Sequence, residues 1–148
     1  MSMYFDIGET TLWNPSNGAG RLFLRHVEVL EAELGLPSGI RQGEHAGDPD
    51  TVVLDREAYA EFVHALVAWH CRTRHGVILA LSEGFSAVAV ALARRAGIEV
   101  ELPGTASGDA AGDDRRDMQA PAAPRTTPEA VVTTLDRRAR EMDRQLAH

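Results

Sequence analysis

Lysine does not occur in this chain, and all 15 of its cationic side chains are arginine. Schiff-base chemistry, a lysine general base and the Walker-type phosphate lysine are therefore excluded together. The accompanying abundance of arginine, alanine and glycine fits a GC-rich coding sequence, which accounts for the gap without invoking function. There is one cysteine, Cys71, so neither an internal disulfide nor a multi-thiolate zinc site can form. No charged n-region followed by an apolar h-region opens the sequence, which points to a cytoplasmic protein. Concentrated positive charge is missing as well: the net charge is −7, and nucleic acid is not an expected partner because phosphate contacts need a basic surface. No G-x-S-x-G elbow, H-E-x-x-H or G-x-G-x-x-G is found. No cofactor is expected.

What is present suffices for one domain. A chain of 148 residues with 44% hydrophobic content can bury a real core but has no room for a second large one. Most of the apolar mass lies between Asp55 and Gly97. From Arg56 to Arg74 the helical wheel gathers Tyr59, Phe62, Val63, Leu66, Trp69 and His70 on one face. The opposite stripe, Glu57, Glu61, His64, Ala68, Cys71 and His75, is mainly polar. Asp55 stands where an N-cap belongs, its carboxylate able to accept an orphan backbone N–H.

A second helix is expected from Val77 to Arg95, apolar around most of its circumference through Val77, Ile78, Leu81, Phe85, Val88 and Leu92. Such a helix belongs in the middle of a fold. Ser82, Glu83 and Ser86 interrupt it short of the roughly 20 apolar residues a bilayer requires, so no membrane span is expected. Arg94, Arg95 and Gly97 form an ordinary C-terminus, with cations at the negative end of the dipole.

Taken from the start, Met3 to Ile7 and Thr10 to Trp13 flank Gly8-Glu9 and predict a short β-hairpin. Pro15 stops the second strand, and Ser16 or Asn17 caps a helix from Gly18 to Leu34 that turns Leu22, Phe23, His26, Val27, Leu30 and Leu34 to one side. Gly35 to Asp50 has a loop composition. Ile98, Val100 and Leu102 alternate with Glu99 and Glu101 and predict a half-buried strand that joins the hairpin.

YFDIGETTLWNPSNGAGRLFLR, EAELGLPSGI, AWHCRT and LSEGF together resemble a family of small uncharacterised actinobacterial proteins. The likeness runs roughly from Met3 to Val100, and its most distinctive piece is Leu12-Trp13-Asn14-Pro15-Ser16. It implies an origin and carries no activity, cofactor or site residue with it.

Residues 103–126 are mainly Gly, Ala, Ser, Asp, Arg and Pro with little to bury, the composition of a flexible, disordered linker. Thr127 caps a last helix with Pro128 in its first turn. There Val132, Leu135, Ala139, Met142 and Leu146 recur at three, four, three and four, a short heptad seam too brief to stand alone. The expected architecture is thus α+β: a mostly helical core of three helices with a short antiparallel sheet over 1–102, the linker over 103–126, and the amphipathic helix over 127–148.

Three groups of residues are candidates for function. The heptad seam suits a protein-interaction module, an adaptor, regulator or immunity-type protein that binds another protein or itself. His26, His70 and Glu83 offer an alternative: if they converge between the helices, a histidine near neutral pH serves as general base while Glu83 fixes its tautomer. Glu57, Glu61 and His64 contain an E-x-x-H step of the kind diiron bundles use, although no second step accompanies it and a solvated helix face explains the same residues.

Overall fold

A computed structural model of the chain describes residues 1–43, 48–103 and 127–147. The elements run β1 (Tyr4–Ile7), β2 (Thr10–Trp13), α1 (Asn17–Leu34), β3 (Ile40–Gln42), β4 (Thr51–Leu54), α2 (Arg56–Arg72), α3 (Gly76–Arg95) and α4 (Pro128–Leu146). The fold is α+β, as the sequence implies. Most of the expected linker, residues 104–126, lies outside the described residues.

Local chemistry sets the helix starts. The Ser16 and Asp55 side chains accept from Ala19 N and Ala58 N at the heads of α1 and α2, and Thr127 does the same for Ala130 N at α4. Each satisfies one N–H that the first turn leaves without a partner. Gly35 closes α1 at φ 64°, a left-handed conformation that costs a residue with a Cβ.

The sheet differs from expectation in two ways. It has four strands in the order β2-β1-β4-β3, and its central pair, β1 with β4, is parallel. The helix α1 supplies the crossover that parallel neighbours need. β3 falls inside the stretch read as loop, where Ile40, Arg41 and Gln42 pair antiparallel with Leu54, Val53 and Val52. Three residues between glycines are too few to give a periodic signal. The expected strand at Ile98–Leu102 does not form. Its alternation reflects packing against α2: Arg56 Nη2 donates to Gly97 O at 2.8 Å, and His64 Nε2 lies 2.9 Å from Glu99 O.

One face of the sheet meets the helices. Phe5, Leu12, Val52 and Leu54 are buried, and Phe5, Trp13 and Phe23 form a cluster with ring centroids 5.0–5.7 Å apart. α2 lies in the core, with Tyr59, Phe62, Val63 and Leu66 fully enclosed. The Tyr59 hydroxyl donates to Ala89 O at 3.0 Å, which supplies the partner a buried phenol requires.

The last helix is part of the core. α4 packs chiefly on α3 and also touches α2, burying Val131, Leu135, Ala139 and Leu146, while Val132 and Met142 are partly covered. The heptad seam expected to face a partner is therefore closed against its own chain. Ion pairs at 2.6–3.2 Å frame it: Arg94 with Asp136, Arg95 with Asp143, and Arg138 with Glu83.

Candidate interaction surface

His26, His70 and Glu83 each have a different hydrogen-bond or ion-pair partner. His26 is exposed, where a core position was expected, and its ring stacks on Phe85 at 6.0 Å with Nδ1 2.9 Å from Leu22 O. Glu83 is half-buried and paired with Arg138 of α4. Glu57, Glu61 and His64 lie on the outer face of α2. Among the described residues no group of three or more His, Cys, Asp or Glu side chains is placed to hold a metal.

His70 is 2% exposed and its Nδ1 lies 2.7 Å from Ser82 Oγ, which lies 2.7 Å from Ile78 O. The Ile78 carbonyl can only accept, so the single serine proton goes to it. His70 must then donate from Nδ1, which fixes the tautomer with Nε2 unprotonated. The pair is the reverse of a serine activated by a base, because the hydroxyl proton points away from the imidazole.

Burial holds the His70 imidazole below its ordinary value of 6.5, with the Glu83 charge opposing. As pH falls below 6.5, the unfolded chain takes up a proton that the folded one refuses. Stability is then lost at up to ~1.4 kcal/mol per pH unit until the folded value is passed, and is flat with respect to this group above neutrality. Urea unfolding of the wild type and of His70→Gln at pH 7.5 and 5.5 checks this. The acid-dependent loss should be smaller in the variant by that component; equal losses would assign it to other groups.

Cys71 is buried on the core side, not on the polar stripe of α2, and burial pushes its thiol up to about 11. A protonated, enclosed thiol is a poor nucleophile. An open cleft of about 570 Å³ is lined by Arg94, Arg95, Arg140, Asp143 and Arg144. Two of its cations tie α3 to α4: Arg94 pairs with Asp136, which Arg140 also holds from within α4, and Arg95 donates to Asp143 and Leu146 O as well as to Leu12 O of β2.

The surface that stands apart is on the first half of α3. That helix was expected in the middle, yet Val77 is 60% and Leu81 75% exposed. Gly84 is exposed and Val88 half-buried, and these four recur at four, three and four, the spacing of one continuous seam. α3 is long and apolar enough to cross a membrane by composition, but half of its apolar window is buried in the fold. Among its first nine residues only Glu83 carries a formal charge, and Arg138 holds that charge.

Two features mark this seam. Phe85, next to it, stacks on Phe23 and His26 of α1, and His26 is flanked on its own helix by Leu22, 57% exposed, and Val29, 64% exposed. The open apolar side chains of two helices thus border one aromatic junction. Gly84 is the second feature: a Cβ built there would meet nothing within 4 Å. A mid-helix glycine costs ~1 kcal/mol relative to alanine, and among the described residues no neighbour needs the space.

In the sequence Val77, Leu81 and Val88 belong to a helix read as apolar around most of its circumference, and nothing there showed that Val77 and Leu81 would stay open. Compared with known proteins, the chain matches over residues 1–148 the model of a family described as a family of unknown function, DUF6086. No curated protein and no solved structure matches it.

Proposed function

We propose, for a chain that belongs to the DUF6086 family of unknown function, that it works as a non-catalytic protein-interaction module of the cytoplasm, an adaptor, regulator or immunity-type protein. The observation that supports this reading is the open pair Val77 and Leu81 at the start of α3, with Leu22 and Val29 also open on α1. Large apolar side chains left open together on one helix face often mark a place where another molecule docks.

The contact surface is thereby moved from α4 to α3. Binding through Val132, Leu135, Ala139, Met142 and Leu146 would require α4 to leave α3 and break its pairs to Arg94, Arg95 and Glu83. The α3 seam is open without any rearrangement.

Affinity capture from native lysate, with the wild type and Leu81→Asp as paired baits, tests the reading. Leu81 is 75% exposed, so the substitution should leave folding intact while placing an unpaired carboxylate in any apolar contact. Proteins retained by the wild type and lost from the variant are the expected result. Identical profiles from the two baits would remove the α3 face from consideration.

A further inference from the structure

We infer that the cleft between the last turns of α3 and α4 binds a small molecule through a doubly charged oxyanion, either a phosphate group or a pair of carboxylates. The site lies at the opposite end of α3 from Val77 and Leu81, and it stands whatever docks on that open face.

Charge is the first observation. Four guanidinium groups, those of Arg94, Arg95, Arg140 and Arg144, line the cleft with one carboxylate, Asp143. Asp136, held by both Arg94 and Arg140, adds a second carboxylate. Two positive charges are left over. This local excess runs against the balance of a chain whose net charge is −7. Glu99 and Glu101 line a second cleft that has only Arg94 in common with the first among the described residues.

Hydrogen bonding locates the excess. Arg95 is committed to the fold through Asp143, Leu12 O and Leu146 O. Arg94 donates to Asp136 Oδ1 at 2.7 Å, and Arg140 reaches Oδ2 of the same carboxylate at 2.8 Å. Arg144 is exposed and has no ion pair or side-chain hydrogen bond among the described residues. A guanidinium carries five N–H donors in a planar fork, so most of the donors of Arg94, Arg140 and Arg144 are left to solvent or to a ligand.

Ordinary helix chemistry covers only part of this arrangement. A cation in the last turn answers the helix dipole, which accounts for Arg95 and Arg144. Arg140 lies a turn earlier, is 74% exposed, and is the second cation on a carboxylate that Arg94 already matches. Four residues apart, Arg140 and Arg144 share one face of α4 and repel each other. An anion held between them replaces repulsion with attraction.

Arginine is suited to that ligand, because its fork meets a phosphate or a carboxylate with two parallel bonds. The volume of about 570 Å³ falls within the range of small-molecule sites, so the cleft has room for more than the anionic group itself. Exposed charge pairs are individually weak, and bare inorganic phosphate should bind with a Kd on the order of 1 mM. By joining Arg94 of α3 to Arg140 and Arg144 of α4, the ligand also stabilises the folded chain.

Isothermal titration calorimetry of the full chain with inorganic phosphate, and separately with succinate, at constant ionic strength tests the site. The variants are Arg140→Gln and Arg144→Gln. The wild type should bind at least one of the two anions, and each variant should bind it ~5-fold or more weakly. Preference for phosphate assigns a phosphorylated ligand and preference for succinate a dicarboxylic acid; either supports the site. Both substitutions are at exposed positions, so the unliganded variants should melt within ~2 °C of the wild type, which separates lost binding from lost folding. Saturating anion should raise the wild-type midpoint by a few degrees, about 3–5 °C, above that in sodium chloride of equal ionic strength. No binding of either anion, equal binding by the wild type and both variants, or a midpoint rise that sodium chloride reproduces would each overturn the proposal.

Discussion

Truncating Leu135 to alanine is expected to lower stability by about 3 kcal/mol, in the range for a leucine removed from a close-packed interior. Leu135 is fully buried and lies with Val131 and Ala139 on the face of α4 that meets α3. The loss combines transfer of the missing methyl groups with the cavity left between two helices that the ion pairs at Arg94 and Arg95 hold in position. In urea the unfolding midpoint should fall with the slope unchanged, since the surface exposed on unfolding hardly differs. Val132→Ala, at a half-buried position, should cost less than ~1 kcal/mol in the same experiment. Equal, small effects at both positions would mean that α4 does not rest on α3.

Gly39→Ala should be nearly as damaging, at roughly 2–4 kcal/mol, although it adds a single methyl group. Gly39 has φ 73°, and a Cβ there would stand 2.7 Å from Ala58 Cβ and 3.2 Å from Asp55 O. Neither neighbour can yield, because Asp55 caps α2 and Ala58 is the residue it caps. Relief by moving the loop is blocked on the other side. Ser38 N donates to Glu31 Oε1 at 2.7 Å, and Gly39 O accepts from Asp55 N at 2.9 Å. Gly8→Ala is the matched control: it has the same sign of φ, at 59°, with nothing within 4 Å of the added carbon, and should show only the conformational cost of ~1–2 kcal/mol. Thermal or urea unfolding of the two variants separates strain from collision, and equal losses would show that the collision is absent.

These two positions also show what the sequence could and could not reveal. The caps at Ser16, Asp55 and Thr127 and the β1–β2 hairpin were legible because each is decided by residues a few places apart. The amphipathic period of α4 was legible for the same reason, and Leu135, Ala139 and Leu146 are indeed its inward positions. Which surface that stripe would meet was not, since the answer lies on α3, more than thirty residues earlier in the chain. β3 escaped because its identity comes from pairing with Val52–Leu54 and not from its own three residues. Ile98–Leu102 misled because alternation records one-sided burial, and a chain resting on a helix satisfies that as well as a strand does. His70 was correctly placed on an apolar face, while the hydroxyl that occupies it, Ser82, comes from the next helix. The seam on α3 was hidden for a related reason: an apolar stripe reads the same whether the fold covers it or leaves it bare.

The place of β1 in the sheet has a consequence for how the chain acquires its fold. The first strand is a central one, and its parallel neighbour begins only at Thr51, with β2 and α1 in between. The hairpin with β2 can form early, because its turn is local. The step that commits the sheet must close a loop of more than forty residues before any contact compensates for the lost chain entropy. Search for that parallel register, and not growth of the helices, should set the pace, so refolding belongs to the slower millisecond class despite the high helix content. Substitutions along β4, such as Val52→Ala, should slow folding, whereas those on α4 should chiefly hasten unfolding.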